Sequence, residues 1–133
     1  MNWIPNPYLR GDLIVVIDCA DLGRSARFWA GVLGYLDEGQ STGIYRTLRP
    51  AEGSGVEVLL QRTSDAKTGK NRVHLDLRTR DLDAEVARVR GLGATVLTGE
   101  PIVEGGMTWH VLADPDGNEF CVLQPSPSYW ADR

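Results

Sequence analysis

Apolar and polar positions along the chain fall into two similar blocks. Residues 13–19, Leu-Ile-Val-Val-Ile-Asp-Cys, form a β-branched apolar run of the kind that favours a strand. Asp21 follows as a helix cap, and Ala26, Trp29, Ala30 and Leu33 then recur at helical spacing. The spacing predicts a helix from Asp21 to Leu33 with that stripe buried, and Gly34 suits the left-handed position that closes it. Strand-forming segments at 35–38, 43–49 and 56–61 complete the block.

The same grammar returns about 60 residues later, and such internal repetition constrains a whole fold. Residues 73–78 read as a strand, Asp81 as a cap, and Leu82, Val86 and Val89 as the stripe of a helix with Gly91 and Gly93 near its end. Strands at 95–97, 108–113 and 119–124 follow, with turn signals at Gly105-Gly106, Asp114-Pro115 and Asp116-Gly117. Asp21 matches Asp81, Leu22 matches Leu82, Trp29 matches Val89 and Gly31 matches Gly91. A β-α-β-β-β unit leaves one sheet face uncovered, so each block needs the other. The expectation is an α+β chain of one domain, with module one at 11–62, module two at 72–125, a polar bridge between them, and extensions at 1–10 and 126–133. Trp3, Tyr8, Tyr129 and Trp130 make those extensions aromatic, which predicts that at least one packs.

Composition narrows the partners. With 133 residues, 42% hydrophobic and 24% charged, the balance is that of an ordinary globular chain, whereas two independent halves of about 65 residues would each be marginal. Fourteen Lys and Arg against 18 Asp and Glu give a net charge of −4. The densest basic stretch, Lys67, Lys70, Arg72, Arg78 and Arg80, is interrupted by Asp65, Asp76 and Asp81, so the footprint of a nucleic-acid binder is missing. A small anionic ligand stays open, because it needs one or two cations rather than a field. No apolar run approaches membrane length and no signal-peptide pattern opens the chain. Two cysteines, Cys19 and Cys121, both in apolar stretches, do not make a disulfide framework, and a reducing cytoplasm is the expected setting.

Strand periodicity picks out candidate chemistry. In 73–78 it places Val73, Leu75 and Leu77 on one face, toward the helix, and lines up His74, Asp76 and Arg78 on the other. In the matching strand Val15, Ile17 and Cys19 face the helix, leaving Ile14, Val16 and Asp18 on the open face. If the sheets curve around a shared cleft, it is polar on one side and mostly apolar on the other, which suits a small organic ligand fixed by a few polar groups. Tyr45, Arg46 and Arg62 are candidates for its rim and Trp109 for its wall, with core filling the alternative for Trp109. His110 reads as a surface histidine and Trp29 as core.

Asp114-Pro115-Asp116-Gly117-Asn118-Glu119-Phe120, the Asp21-to-Gly34 helix, and Asn71-Arg72-Val73-His74-Leu75-Asp76-Leu77 together resemble the vicinal oxygen chelate superfamily. That superfamily includes glyoxalase I, extradiol dioxygenases and bleomycin-resistance proteins, and the chain is similar to a glyoxalase-like subgroup of mostly unestablished reaction. The resemblance spans residues 11–125 and implies paired β-α-β-β-β modules forming a concave, partly open mixed-sheet barrel around a ligand, commonly in a homodimer. It also implies metal ligands in the first and last strands of each module. His74 stands at one such position and Cys121 at another, but Ile14 and either Leu59 or Leu60 occupy the first-module counterparts. Glu57 or Gln61 enters only if the register shifts by two residues.

Two readings follow. The first is a small-molecule binding protein without the full divalent-metal site and with no predicted cofactor, using His74, Asp76, Arg78, Tyr45, Arg62 and Trp109. The second is a lyase, isomerase or dioxygenase-like enzyme in which His74, Asp76 and Cys121 transfer protons or hold a divalent metal. Asp114 to Asn118 lacks the ligand ladder of a calcium loop and reads as a tight turn.

Overall fold

A computed structural model describes residues 12–39, 42–53 and 55–131. The expectation for Trp3 and Tyr8 in the N-terminal extension lies outside these residues. The chain is α+β, with two mixed sheets that do not close into a barrel.

The first module runs β1 (Ile14–Cys19), α1 (Leu22–Leu33), β2 (Tyr35–Asp37), β3 (Tyr45–Pro50) and β4 (Glu57–Arg62), with the sheet ordered β1-β4-β3-β2. The second runs β5 (Leu75–Arg78), α2 (Leu82–Gly91), β6 (Thr95–Val96), β7 (Ile102–Glu104), β8 (Met107–Ala113) and β9 (Glu119–Gln124), ordered β5-β9-β8-β6 with β7 paired to β8. In each, the first strand lies parallel to the last, and the remaining pairs are antiparallel. A short helix, α3 (Pro127–Trp130), follows. The duplicated grammar is therefore a duplicated fold, with β7 as an addition in the second copy.

Both long helices start as the sequence predicts. The Asp21 carboxylate accepts from the Arg24 N–H at 3.0 Å, and Asp81 accepts from Ala84 at 3.1 Å, each relieving a helix-end donor. Gly34 takes φ 68°, and its N–H returns to the Ala30 carbonyl, ending α1. In α1 the fully buried side chains are Ala26, Phe28, Trp29 and Ser25, with Leu22 and Val32 beside them, while Ala30 and Leu33 are only partly buried. The buried face is thus rotated from the predicted stripe, because α1 packs on its own sheet and also reaches Phe120 of β9. Phe28, Trp29 and Phe120 meet edge to face, with centroids 5.1–6.1 Å apart, a geometry that adds about 1 kcal/mol per pair beyond burial.

One apolar core contains residues of both modules, from Ile17 and Leu48 to Leu112 and Val122. Its edge is fastened by the loop read as a tight turn. The turn is real: Gly117 N–H donates to the Asp114 carbonyl at 2.9 Å, with Gly117 at φ 87°. It is also a clamp between modules. The buried Asp114 carboxylate accepts from Trp29 Nε1 at 3.0 Å, from the Asp116 and Asn118 N–H groups, and from Asn118 Nδ2. Asp116 accepts from the Ala20 N–H and Arg24 Nη2, both at 2.8 Å, and Asn118 Nδ2 reaches the Asp18 carbonyl. From α2, Arg88 donates to the Gly31 and Val32 carbonyls near the end of α1.

Val73 departs from expectation. It is 87% exposed rather than turned to the helix, because β5 begins only at Leu75 and the preceding residues bend out of the strand alternation.

Candidate functional site

The open face of the second sheet is built in cross-strand rows. Asp76 lies opposite Cys121, which lies opposite Val111. Arg78 lies opposite Leu123, Leu123 opposite Trp109, and Trp109 opposite Ile102. Leu75 and Leu77 turn the other way, into the core, as the alternation requires. With His74 just before β5, Met107 at the start of β8 and Tyr129 from α3, these side chains line a cavity of about 550 Å³. Its floor is apolar and one edge is ionisable.

His74 Nε2 stands 3.1 Å from Asp76 Oδ1, and both side chains are about half exposed. Cys121 is buried, and its thiol is pushed up to about 11, first by burial and then by the charge and hydrogen bond of Asp76. Burial and Asp76 therefore favour the protonated thiol of Cys121 over the thiolate. At the cavity margin the Glu119 carboxyl is held below its usual range, chiefly by the Asn71 N–H at 2.7 Å, with Lys70 and Lys67 adding to the effect. Residue spacing does not single out Glu119, Met107 or Tyr129. The first and second follow from strand phase once the register is known, whereas Tyr129 depends on how the C-terminal segment folds back.

The other candidates separate. Trp109 faces the cavity, whereas His110 faces the helix side and meets Thr98 Oγ1 at 2.7 Å, half-buried. Tyr45 lies on the open face of the first sheet, 41% exposed, and is not among the cavity-lining residues. Arg46 turns to the opposite side, where it pairs with Asp37 through two contacts of 2.8 and 2.9 Å, and Arg62 follows the same alternation away from the open face. Cys19 is buried on the helix side, as expected.

This cavity consequently takes none of its lining from the first module: its walls are the second module, Lys70 of the bridge and Tyr129 of α3. Where the modules meet, Val16, Asp18, Val73 and His74 line a smaller hollow of about 290 Å³, the part of the site to which both contribute. The physical reason is the clamp: it joins the modules through α1 and the Asp114 loop and leaves the two open sheet faces unjoined.

One donor set in the cavity suits a divalent ion. His74, Asp76 and Cys121 each offer one ligand atom, all within 4.8 Å of one another, and among the described residues they are the cluster suited to a metal. A nitrogen, an oxygen and a sulfur with an open fourth side fit a borderline ion such as zinc in type and number. All three come from the second module. On the first sheet the equivalent face carries Ile14, Val16 and Leu59, while Leu60 is fully buried, and among its described residues that module supplies no equivalent trio. Glu57 and Gln61 share the Leu59 face but are not gathered with His74.

An α+β pair of β-α-β-β-β modules with a ligand-sized hollow on one sheet defines the class. The chain matches the glyoxalase-like domain family over residues 14–123 and belongs to that family. No curated protein matches it. Among solved structures, a hypothetical protein from S. aureus is 22% identical, with 90% of this chain and 99% of that one covered and a TM-score of 0.67. A glyoxalase/bleomycin resistance protein/dioxygenase family enzyme from Burkholderia phytofirmans is 20% identical over 84% and 95%, with a TM-score of 0.68. A point mutant of the fosfomycin resistance protein FosX from Listeria monocytogenes, complexed with Mn(II) and a dihydroxypropylphosphonic acid, is 16% identical over 90% and 93%, with a TM-score of 0.70. These likenesses show a shared fold.

Proposed function

We propose that this chain is a small-molecule binding protein of the glyoxalase-like type, holding its ligand on the open face of the second sheet. The observation that carries the reading is the cavity itself: an apolar floor of Trp109, Val111, Leu123 and Met107 meeting a convergent polar edge of His74, Asp76 and Arg78. The floor buries the ligand's body, and the edge orients it. Substituting His74→Ala or Asp76→Ala is expected to weaken ligand association about tenfold each, with thermal melting within a few degrees of the parent. Unchanged affinity in both variants would remove the polar edge from the site.

An enzyme holding a divalent metal is the second reading, favoured by the His74–Asp76–Cys121 cluster and by the Mn(II) in the FosX structure. The three residues would hold such an ion, which would supply Lewis-acid polarisation of a bound oxygen. On the first reading, elemental analysis of freshly purified protein never exposed to chelator finds no stoichiometric metal. One tightly held ion per chain would transfer support to the second.

Three further parts belong to the same proposal. Residues 1–133 make one domain of two modules with terminal extensions, supported by the apolar core that both modules share. Two copies pair, supported by Ile14, Val16, Leu36 and Tyr45 exposed together on the open face of the first sheet. The setting is a reducing cytoplasm, supported by two free, buried cysteines. Among the described residues no helix is long and apolar enough to cross a membrane.

A further inference from the structure

The ionisable groups of the cavity are not equally committed. His74 has Asp76 at 3.1 Å, and Lys70 has Glu119 at 4.0 Å. Arg78 lines the same cavity, yet no carboxylate among the described residues pairs with it. Its contact is of another kind: the guanidinium carbon lies 5.1 Å from the centre of the Tyr129 ring. Tyr129 meets Trp130 edge to face at 4.7 Å, and Trp130 carries Arg80 at 4.4 Å, so two cation–π contacts stitch the C-terminal turn to the end of β5.

A ring contact restrains a guanidinium without consuming its hydrogen-bond donors. The five N–H groups of an arginine radiate in the plane of the fork, whereas an aromatic face attracts the charge. Arg78 is therefore oriented and still holds its capacity for two parallel bonds to a planar oxyanion. Its cross-strand neighbours toward the cavity floor are Leu123 and then Trp109, both apolar. Two residues back along β5, about 6.6–6.8 Å away by strand geometry, is Asp76 with its His74 partner.

We propose that the cavity selects small apolar carboxylates, with the carboxylate on Arg78, the body over Leu123 and Trp109, and a hydrogen-bonding group about 7 Å away meeting Asp76 and His74. Arg78 is then the specificity-determining residue. A neutral ligand of the same shape leaves the guanidinium without its partner, and a cationic one faces repulsion at that end. The ligand class named here rests on the reading of the cavity as a small-molecule site and deepens it.

The test uses the full chain and matched acid–amide pairs: 4-hydroxybenzoate with 4-hydroxybenzamide, 4-hydroxyphenylacetate with its amide, and hexanoate with hexanamide. Affinities are read by calorimetry at physiological salt. The expected result is that at least one acid binds about tenfold tighter than its amide, that Arg78→Gln abolishes this preference, and that amide binding stays within about twofold. If Arg78→Gln proves unfolded by circular dichroism, Arg78→Lys, which keeps the charge but loses the planar fork, is expected to reduce the preference about threefold. Equal binding of acids and amides by the parent, or a preference that the Arg78 substitutions leave undiminished, would overturn the inference and leave the small-molecule reading standing. Binding of neither series would count against that reading itself and take this inference with it.

Discussion

Cys121 and Asp76 face each other across neighbouring parallel strands, and this pairing decides what the thiol does. Burial and the adjacent carboxylate both favour the protonated form, so the sulfur is an inert part of the floor until a cation displaces its proton. The sign of the effect gives a direct prediction. Alkylation of Cys121 by iodoacetamide, followed by mass spectrometry, should still be accelerating about tenfold per pH unit between pH 9 and 10, where an ordinary thiol of pKa about 8.5 has levelled off. Asp76→Asn removes the charge and should bring the plateau to lower pH. A plateau in the parent protein by pH 9 would contradict this electrostatic picture. At this scale the sequence was informative about phase and silent about contact: alternation put His74, Asp76 and Arg78 on one face, but their separate partners arise from side-chain directions that spacing does not encode.

At the scale of elements, helix ends were legible because their chemistry is local. Asp21, Asp81 and Gly34 do what their types suggest. Two glycines near helix ends nevertheless differ. Gly34 sits at φ 68°, where a side chain is strained, whereas Gly91 is the last residue of α2 with open space around its missing Cβ. Gly34→Ala should lower stability by about 1 kcal/mol, and Gly91→Ala should raise it by about 0.5 kcal/mol, measured by urea denaturation. Similar shifts in the two variants would show that the backbone difference is unimportant. β7 escaped the sequence pattern because Ile102, Val103 and Glu104 are exposed throughout, leaving no alternation to read. It is held by the Gly105-Gly106 turn, at φ 60° and 76°, and by pairing to β8. Val73 shows the opposite failure, an apolar residue that extends the pattern of a strand it does not enter.

The whole molecule depends on contacts that neither repeat contains alone. The repeat announced two modules, but the way they join was legible only in part. Asp114 has turn chemistry in the sequence, while its bond to Trp29 crosses 85 positions. Removing its carboxylate leaves the Trp29 indole and the Asp116 and Asn118 amides without their acceptor. Asp114→Ala should therefore cost about 3 kcal/mol, and if the modules are one cooperative unit, the fluorescence and circular-dichroism transitions of the variant should remain coincident. Two separated transitions would instead mark independently unfolding halves. The same joint explains why the expected shared cleft became a cavity on one module: the clamp occupies the helix side and leaves both open faces free.

A ligand seated on the second sheet can be located by two-dimensional NMR. Titrating the labelled protein with the acid–amide panel reports on all four tryptophan indoles and on the strand amides at once. Saturable shifts are expected at the Trp109 indole and at the amides of residues 74–78, 107–111 and 119–123, with the buried Trp29 indole unmoved. Saturable shifts centred on the first sheet around Val16 and Tyr45, or no saturable shift at the second sheet, would contradict a binding site on the second module.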